Sequence, residues 1–243
     1  MSSESTRLKD ALLSYGEAVA PFDLAMRDYM MRTFAPYWRP GACLQVGSSH
    51  GDQTSLLLNI FDDVTVLEPV REFIDMTRAK VGDRAKFVEA LLEDFHTDQR
   101  FETIVFSHVL EHVADPVAAL GRLASLLSST GRLFVMVPNA EAASRRIAVK
   151  MGVLRDIEDL SADDIAAGHR RVYRLDTLVR DIKSAGLRVE TSGGIFFKPL
   201  ANFQFNALMD GPLIGDAFME GCFELGKEHP TFCASIFVIG EPA

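Results

Sequence analysis

Cysteine is scarce in this chain: Cys43, Cys222 and Cys233 are the only three in 243 residues, and none has CxxC spacing. A disulfide framework and a cysteine-based zinc or redox motif are thereby excluded, and the reducing cytoplasm is the expected compartment. Basic charge is short as well, with 25 Lys and Arg against 34 Asp and Glu and a net charge of −9. Binding to long nucleic acids needs a dense positive surface that releases counterions, so nucleic acid is not an expected partner. Long apolar runs are missing: none approaches the roughly 20 residues of a bilayer span. The opening MSSESTRLKD is polar where a signal peptide needs an apolar core, so no membrane role is expected. Also absent is the G-x-G-x-x-G of dinucleotide binders, since the glycines of LQVGSSHG form only G-x-x-x-G.

What is present is core-forming material. Hydrophobic residues make up 48% of the chain, enough for one full α/β domain over residues 1–243. Helical spacing through residues 7–38, broken at Pro21, predicts two helices that form an N-terminal cap over residues 1–39. From residue 40 apolar runs alternate with helical spacers. CLQV, VTVL, KFVEA (86–90), TIVFS (103–107), RLFVMV (132–137), LRVETS (187–192) and CASIFVI (233–239) read as strands. Asp52 to Phe61, Arg71 to Lys80, Pro116 to Leu127 and Asp176 to Ala185 read as helices. Strands that are continuously apolar have both faces covered, which predicts a doubly wound, mostly parallel sheet. Two long interruptions, 141–173 and 194–231, exceed ordinary crossovers and are expected at the substrate side of the strand tips.

The most informative stretch is ACLQVGSSHGDQTSLLLNIFDDVTVLEP, residues 42–69. A strand, a glycine-bearing turn, a helix and a second strand ending in an acid describe a nucleotide-type ligand held at the first strand's tip, with Glu68 on a ribose. Gly47 is where the chain bends and a side chain would block a ligand, and Gly51 opens the helix. The plainer reading is a strand-end glycine followed by a helix-capping acid.

Three segments in order, LQVGSSHG at 44–51, VLEP at 66–69 and FETIVFSHVLEHVADPVAAL at 101–120, resemble the class I S-adenosylmethionine-dependent methyltransferases, small-molecule branch, with the signature HVLEHV. GRLFVMVPNA at 131–140 is similar to that family's fifth strand and the loop after it. The resemblance covers residues 40–140 and extends weakly through 168–190. It implies a Rossmann-like sheet of seven strands with the last antiparallel, S-adenosyl-L-methionine across the strand tips, and methyl transfer to a nucleophile entering from the cap side. Carried over by position, Gly47 would pass beneath the methionine portion, with Gln45 toward the ammonium end and Ser48, Ser49 and Gly51 also binding the cofactor. Glu68 and Pro69 would face the ribose, Leu91, Leu92 and Glu93 the adenine, and Ser107 with His108 the sulfonium region. The family usually has an acid at the place of Gln45, a further glycine at Ser49 and an acid near Leu91, so these contacts differ here.

A sulfonium carries its leaving group already activated, so positioning supplies most of the acceleration, roughly 7–11 kcal/mol in favourable cases. An amine acceptor needs only to arrive neutral, whereas a hydroxyl must lose its proton, a task suited to histidine. His169, in GHRRVY, and His112, expected at the start of the helix after the fourth strand, are the candidate catalytic bases. His108 reads as a wall of the site and His50 as a weaker candidate. Arg170, Arg171, Tyr173 and Lys198 are expected at the acceptor rim, where the cations suit an anionic metabolite of natural-product or sugar type. Ordinary solvated charge is the alternative for the arginines. Asn139 would orient the acceptor or simply form a turn. Glu111-His112 and Asp62-Asp63 read as helix and turn residues, so no metal site is expected. The six phenylalanines of the second interruption read as core first, pocket wall second and a homodimer contact third. The sequence thus points to a methyltransferase acting on oxygen or nitrogen of a small molecule. The competing readings are a cofactor-binding module without turnover and a nicotinamide-dependent oxidoreductase. Titration with S-adenosylmethionine and NAD, and turnover with an acceptor, separate them.

Overall fold

The computed structural model describes Arg7, residues 19–209 and residues 211–243. The first expected cap helix, including Tyr15, lies outside the described residues. The second is α1 (Pro21–Phe34), started by Pro21 in the position where a missing N–H is harmless. Seven strands follow: β1 (Ala42–Val46), β2 (Asp63–Leu67), β3 (Lys86–Val88), β4 (Phe101–Ser107), β5 (Leu127–Pro138), β6 (Leu187–Phe197) and β7 (Cys233–Pro242). They form one sheet in the order β3-β2-β1-β4-β5-β7-β6. All pairs are parallel except those of β7 with β5 and with β6. The order reverses between β1 and β4, the place where ligands of doubly wound sheets bind. No described helix is long and apolar enough to cross a membrane.

Alternate residues of each strand feed the two faces, which is why the sheet has two cores. On one face Cys43, Val64, Val105, Phe134 and Phe237 meet α1 and the later helix α9 (Asp216–Glu228). On the other Leu44, Leu67, Ile104, Leu133 and Val238 meet α4 (Pro116–Leu126) and α7 (Leu175–Ser184). Helices α2 (Asp52–Leu57) and α3 (Arg71–Val81) fill the crossovers from β1 and β2.

Several boundaries differ from the sequence expectation for local reasons. Helix α2 stops at Leu57, not Phe61, because Asn59 and Ile60 take i→i−3 bonds to Leu56 and Leu57 that turn Phe61 inward beneath Trp38. Strand β3 ends at Val88, whose carbonyl accepts from Glu68 N at 3.0 Å. Strand β6 runs on to Phe197 through Gly193 and Gly194. A Cβ on Gly194 would lie 2.3 Å from Pro230 O, so this pair allows close passage within a strand.

Both interruptions contain helices: α5 (Ala143–Lys150) and α6 (Ala162–Ala166) in the first, α8 (Asn202–Met209) and α9 in the second. The cap and the second interruption are joined by aromatic stacking, Phe22 on Phe205 and Tyr29 on Phe223, each with centroids 4.6 Å apart. Phe196, Phe205 and Phe223 are buried, as the core reading expects, while Phe203 and Phe218 are exposed.

Candidate active site

The β1–α2 turn is built under backbone constraint. Gly47 has φ +80° and Gly51 φ +81°, and Ser49 between them has φ +49°. That left-handed conformation at Ser49 explains why a glycine suits the position. Gly47 is required on a second ground: a Cβ there would lie 2.7 Å from Val109 Cγ2, so the chain after β4 packs directly on the turn. Gly51 similarly leaves room for Thr77. Ser48 and His50 are buried, and Ser49 Oγ lies 3.0 Å from His50 Nδ1.

Glu68 at the β2 tip reaches into this turn. Its Oε2 accepts from Ser48 N at 2.9 Å and Ser48 Oγ at 3.3 Å, and its Oε1 from Val70 N at 3.0 Å. Burial pushes the carboxyl up, and the hydrogen bonds from Ser48, Val70 and Ser49 oppose that rise. An ionised carboxylate has about four acceptor sites, so Oε1 retains capacity for a further donor. Pro69 is half-buried beside it. Gln45 is committed internally: Nε2 donates to Gly47 O at 2.9 Å and Oε1 accepts from Thr54 Oγ1 at 2.8 Å. It braces the turn with both ends of its amide taken up inside the protein. Leu91 and Leu92 line the short 3-10 turn Leu92–Asp94, with Leu92 buried and Glu93 exposed.

Ser107 closes β4, and its Oγ donates to Met30 Sδ at 3.5 Å. Gln53 Nε2 also reaches that sulfur, at 3.9 Å. The cap thus places Met30 between the β4 tip and α2. His108 follows with φ +54° and an exposed side chain, its Nε2 3.4 Å from Ser235 Oγ. Strain of this kind in a non-glycine residue collects at ligand sites.

His112 stands in the turn after β4, and α4 begins only at Pro116 with Asp115 as its cap, its carboxylate accepting from Ala118 N at 3.0 Å. The expected helix-start position is therefore corrected: Asp115-Pro116 is the stronger start signal. The first interruption brings His169 onto His112, with ring centroids 4.9 Å apart. Beside them stands Glu111, fully buried, with Oε1 3.4 Å from His108 Nδ1 and 4.0 Å from His169 Nε2. Burial would raise this carboxyl, but the imidazoles of His108, His112 and His169 outweigh it and hold it below the usual carboxylate range. Burial also pulls His112 down, against the pull of Glu111.

His169 Nδ1 lies 3.0 Å from Asp164 Oδ1. Asp164 Oδ2 in turn accepts from Ser161 N, Ser161 Oγ and Arg145 at 2.8, 2.7 and 2.9 Å. Although burial opposes it, these bonds, His169 foremost, hold the Asp164 carboxyl far below its usual range. Glu111 and Asp164 are the residues sequence reasoning missed in this role. Asp164 was visible only as the fourth residue of a Ser-x-x-Asp capping box, and Glu111 only as a neighbour of His112.

The other expected rim residues do different work. Arg170 donates from Nε to His112 O at 2.9 Å, and Arg171 from Nη2 to Ala114 O at 3.1 Å. Both arginines therefore tie the first interruption to carbonyls of the loop after β4, which corrects their placement as anion-facing forks. Asn139 is buried, donating to Thr231 O and Cys233 O at 3.0 and 2.9 Å and accepting from Glu141 N at 2.9 Å. It joins the β5 exit to the β7 entry, the turn-forming alternative. Tyr173 is a core residue whose phenol burial, then Asp181, pushes up. Lys198 is half-buried after β6, with Nζ 5.6 Å from the Phe22 ring centre, and burial pulls its amine down to about 8.

A sheet whose order reverses at β1/β4, with β7 antiparallel and a buried carboxylate at the β2 tip, defines a nucleotide-cofactor enzyme of the doubly wound class. The family model of the methyltransferase domain matches residues 22–192, and the chain belongs to that family: it is a class I S-adenosylmethionine-dependent methyltransferase, and S-adenosylmethionine is its cofactor. It is 25% identical over 171 residues to a ubiquinone biosynthesis O-methyltransferase of Xanthomonas euvesicatoria, covering 65% of this chain and 67% of that one. A Sinorhizobium fredii protein of the same name is 30% identical over 132 residues, 54% of this chain and 50% of its own. Among solved structures, the N-methyltransferase NodS of Bradyrhizobium japonicum, in complex with S-adenosyl-L-homocysteine, superposes with a TM-score of 0.60 at 12% identity, covering 99% of both chains. A methyltransferase of Mesorhizobium loti gives 0.62 at 15% identity, covering 88% of this chain and 97% of that one.

Proposed function

We propose that this methyltransferase acts on an oxygen or nitrogen of a small, anionic metabolite, with the donor lying across the β1 and β4 tips. The observation that carries the reading is the convergence of the strained β1–α2 turn, the Glu68 carboxylate and the His108 tip on one edge of the sheet. Glu68 Oε1 has acceptor capacity for a ribose hydroxyl, Gly47 and Ser48 supply backbone along the methionine portion, and Leu91 and Leu92 supply apolar surface for the adenine. When bound, the donor supplies a methyl group on a sulfonium, so what the protein adds is alignment and exclusion of water.

The cap serves the second task through Met30 and the aromatic stacks that tie α1 to the second interruption. Lys198 is the cation we place on the acceptor; burial lowers its amine, and Asp23, Asp164 and Asp163 act on it against that fall while Arg145 adds to it. The similarity to ubiquinone biosynthesis O-methyltransferases supports a small acceptor.

The test is isothermal titration with S-adenosylhomocysteine, followed by turnover of labelled S-adenosylmethionine against carboxylated phenols and amines of matched size. Methylation of one charged series over its neutral esters is the expected result. Equal rates for acid and ester would remove the anionic part of the proposal, and cofactor binding with no turnover on any acceptor would favour a binding module.

A further inference from the structure

The crossover from β3 to β4 carries no α-helix: residues 89–100 hold only the short 3-10 turn Leu92–Asp94. A parallel sheet needs cover on both faces, and on the α4 side this edge is roofed by a loop instead. Thr65 and Lys86 are register partners, as are Leu67 and Val88, so all four side chains share that face. Between the strands and the loop lies a pocket of about 380 Å3, lined by Thr65, Val88, Ala90 and Phe95, with the exposed Lys86 and Asp94 also in its wall. Thr65 stands three residues before Glu68, about 10 Å down the strand. The pocket is therefore separate from the crevice at the strand tips.

One polar atom in this lining lacks a partner. Thr65 is 5% exposed, and its Oγ1 is buried with no hydrogen bond among the described residues. A buried hydroxyl left unpaired is costly, so a ligand group that reaches it gains by completing the bond. Val88, Ala90 and Phe95 are apolar, and Phe95 offers a ring for edge or offset contact. Charge is balanced: Lys86 Nζ is met by Asp63 Oδ1 at 2.8 Å, and Asp94 carries the opposite sign. Neither an anion nor a cation is selected. A cavity of roughly 150 Å3 holds benzene, so this one has room for a substituted ring.

We propose that this pocket is a second ligand site, taking an uncharged aromatic alcohol whose hydroxyl pairs with Thr65 Oγ1 and whose ring lies on Phe95. Its occupancy is coupled to the cofactor, a step that rests on the methyl-transfer reading. Ala90 and Phe95 line the pocket and bracket Leu91 and Leu92, the surface given to the adenine. Asp94 N donates to Leu91 O at 3.1 Å and Phe95 N to Leu92 O at 3.3 Å, and Arg122 of α4 reaches Phe95 O. A ring packed under this turn fixes the adenine surface before the nucleoside arrives, so each ligand tightens the other's binding by the same factor. The two sites then take different charge classes, an anion at Lys198 and a neutral ring at Thr65.

The experiment titrates the full chain, without cofactor, with 4-methylphenol, toluene and 4-methylbenzoate, followed by NMR of 13C-methyl-labelled valine and alanine. Saturable shifts of Val88 and Ala90 are expected with 4-methylphenol and none with the benzoate. Thr65→Val keeps the shape and removes the hydroxyl. It should raise the Kd of 4-methylphenol about 3–10-fold and leave that of toluene no weaker. Val88→Phe fills the pocket and should abolish binding of both. Circular dichroism reports folding; should Val88→Phe fail to fold, Thr65→Val carries the test. In the parent, saturating 4-methylphenol should lower the Kd of S-adenosylhomocysteine about 5-fold or more. No saturable shift at Ala90, or the same 4-methylphenol Kd in the parent and Thr65→Val, would overturn the second site, and an unchanged S-adenosylhomocysteine Kd would overturn the coupling. S-adenosylhomocysteine that fails to bind with or without 4-methylphenol would count against the methyl-transfer reading, with the Val88 and Ala90 shifts still deciding the pocket.

Discussion

At the scale of single residues, two side chains carry opposite kinds of prediction. Glu68 joins the turn after β1 to the loop after β2, so its removal affects both ligand and fold. Glu68→Gln keeps the shape but loses the charge, and it should weaken S-adenosylhomocysteine binding by about 1.5–3 kcal/mol, read by calorimetry; unchanged affinity would mean that the carboxylate serves the turn alone. Lys198 makes a pH prediction. Its amine titrates near 8 in the folded protein against 10.5 for an ordinary lysine. Below 8 it is charged in both states and bears the full penalty of burial. From about 8 to 10.5 the folded protein releases the proton while the unfolded chain keeps it, so stability rises with pH across that window. Affinity for an anionic acceptor runs the other way, KM rising as pH passes 8. Lys198→Met should flatten both profiles, and a KM that still rises through pH 8 in that variant would remove Lys198 from the acceptor site. Gly47 and Glu68 were legible from spacing because a turn and a strand tip lie close in sequence. Glu111 was not, because its partner His169 arrives 58 positions later through an interruption whose path no local pattern dictates.

At the scale of elements, α1 is the piece that links sequence to site. Its spacing of Phe22, Leu24, Met26, Tyr29, Met30 and Phe34 was readable as helical, and all of these but the exposed Leu24 form its buried face. What that face covers was not readable, since Met30 reaches Ser107 and Gln53 from distant strands and helices. Met30→Ala removes a fully buried side chain at the sheet edge and should lower stability by about 2–5 kcal/mol, measured by denaturant unfolding. A loss well under that range would mean that α1 collapses readily onto the crevice. By contrast, the Arg32–Glu220 pair between α1 and α9 has both partners exposed, and Arg32→Ala should leave unfolding nearly unchanged. The interruptions hid their helices for a physical reason: α5, α6 and α8 are five to eight residues long, too short to form alone, and depend on the contacts that the fold supplies. The strand expected to end at residue 192 runs on through Gly193-Gly194, where the close approach of Pro230 leaves no room for a side chain.

For the whole molecule, the strands announced themselves because a parallel sheet buried on both faces must be written in continuous apolar runs, and the two cores confirm why. The strand order, and with it the reversal between β1 and β4, depended on pairing that composition does not encode. That reversal has a measurable global consequence. A ligand that binds only the folded chain stabilises it by about 2.7 kcal/mol at a concentration 100 times its Kd. For a chain near 250 residues each kcal/mol moves Tm by roughly 2–4 °C. S-adenosylhomocysteine at such a concentration should therefore raise Tm by about 5–11 °C, while NAD, for which the turn after β1 lacks the third glycine, should leave it in place. A shift with NAD equal to that with S-adenosylhomocysteine would show a crevice that does not discriminate nucleosides, and the role given to Glu68 and Gly47 would fail with it.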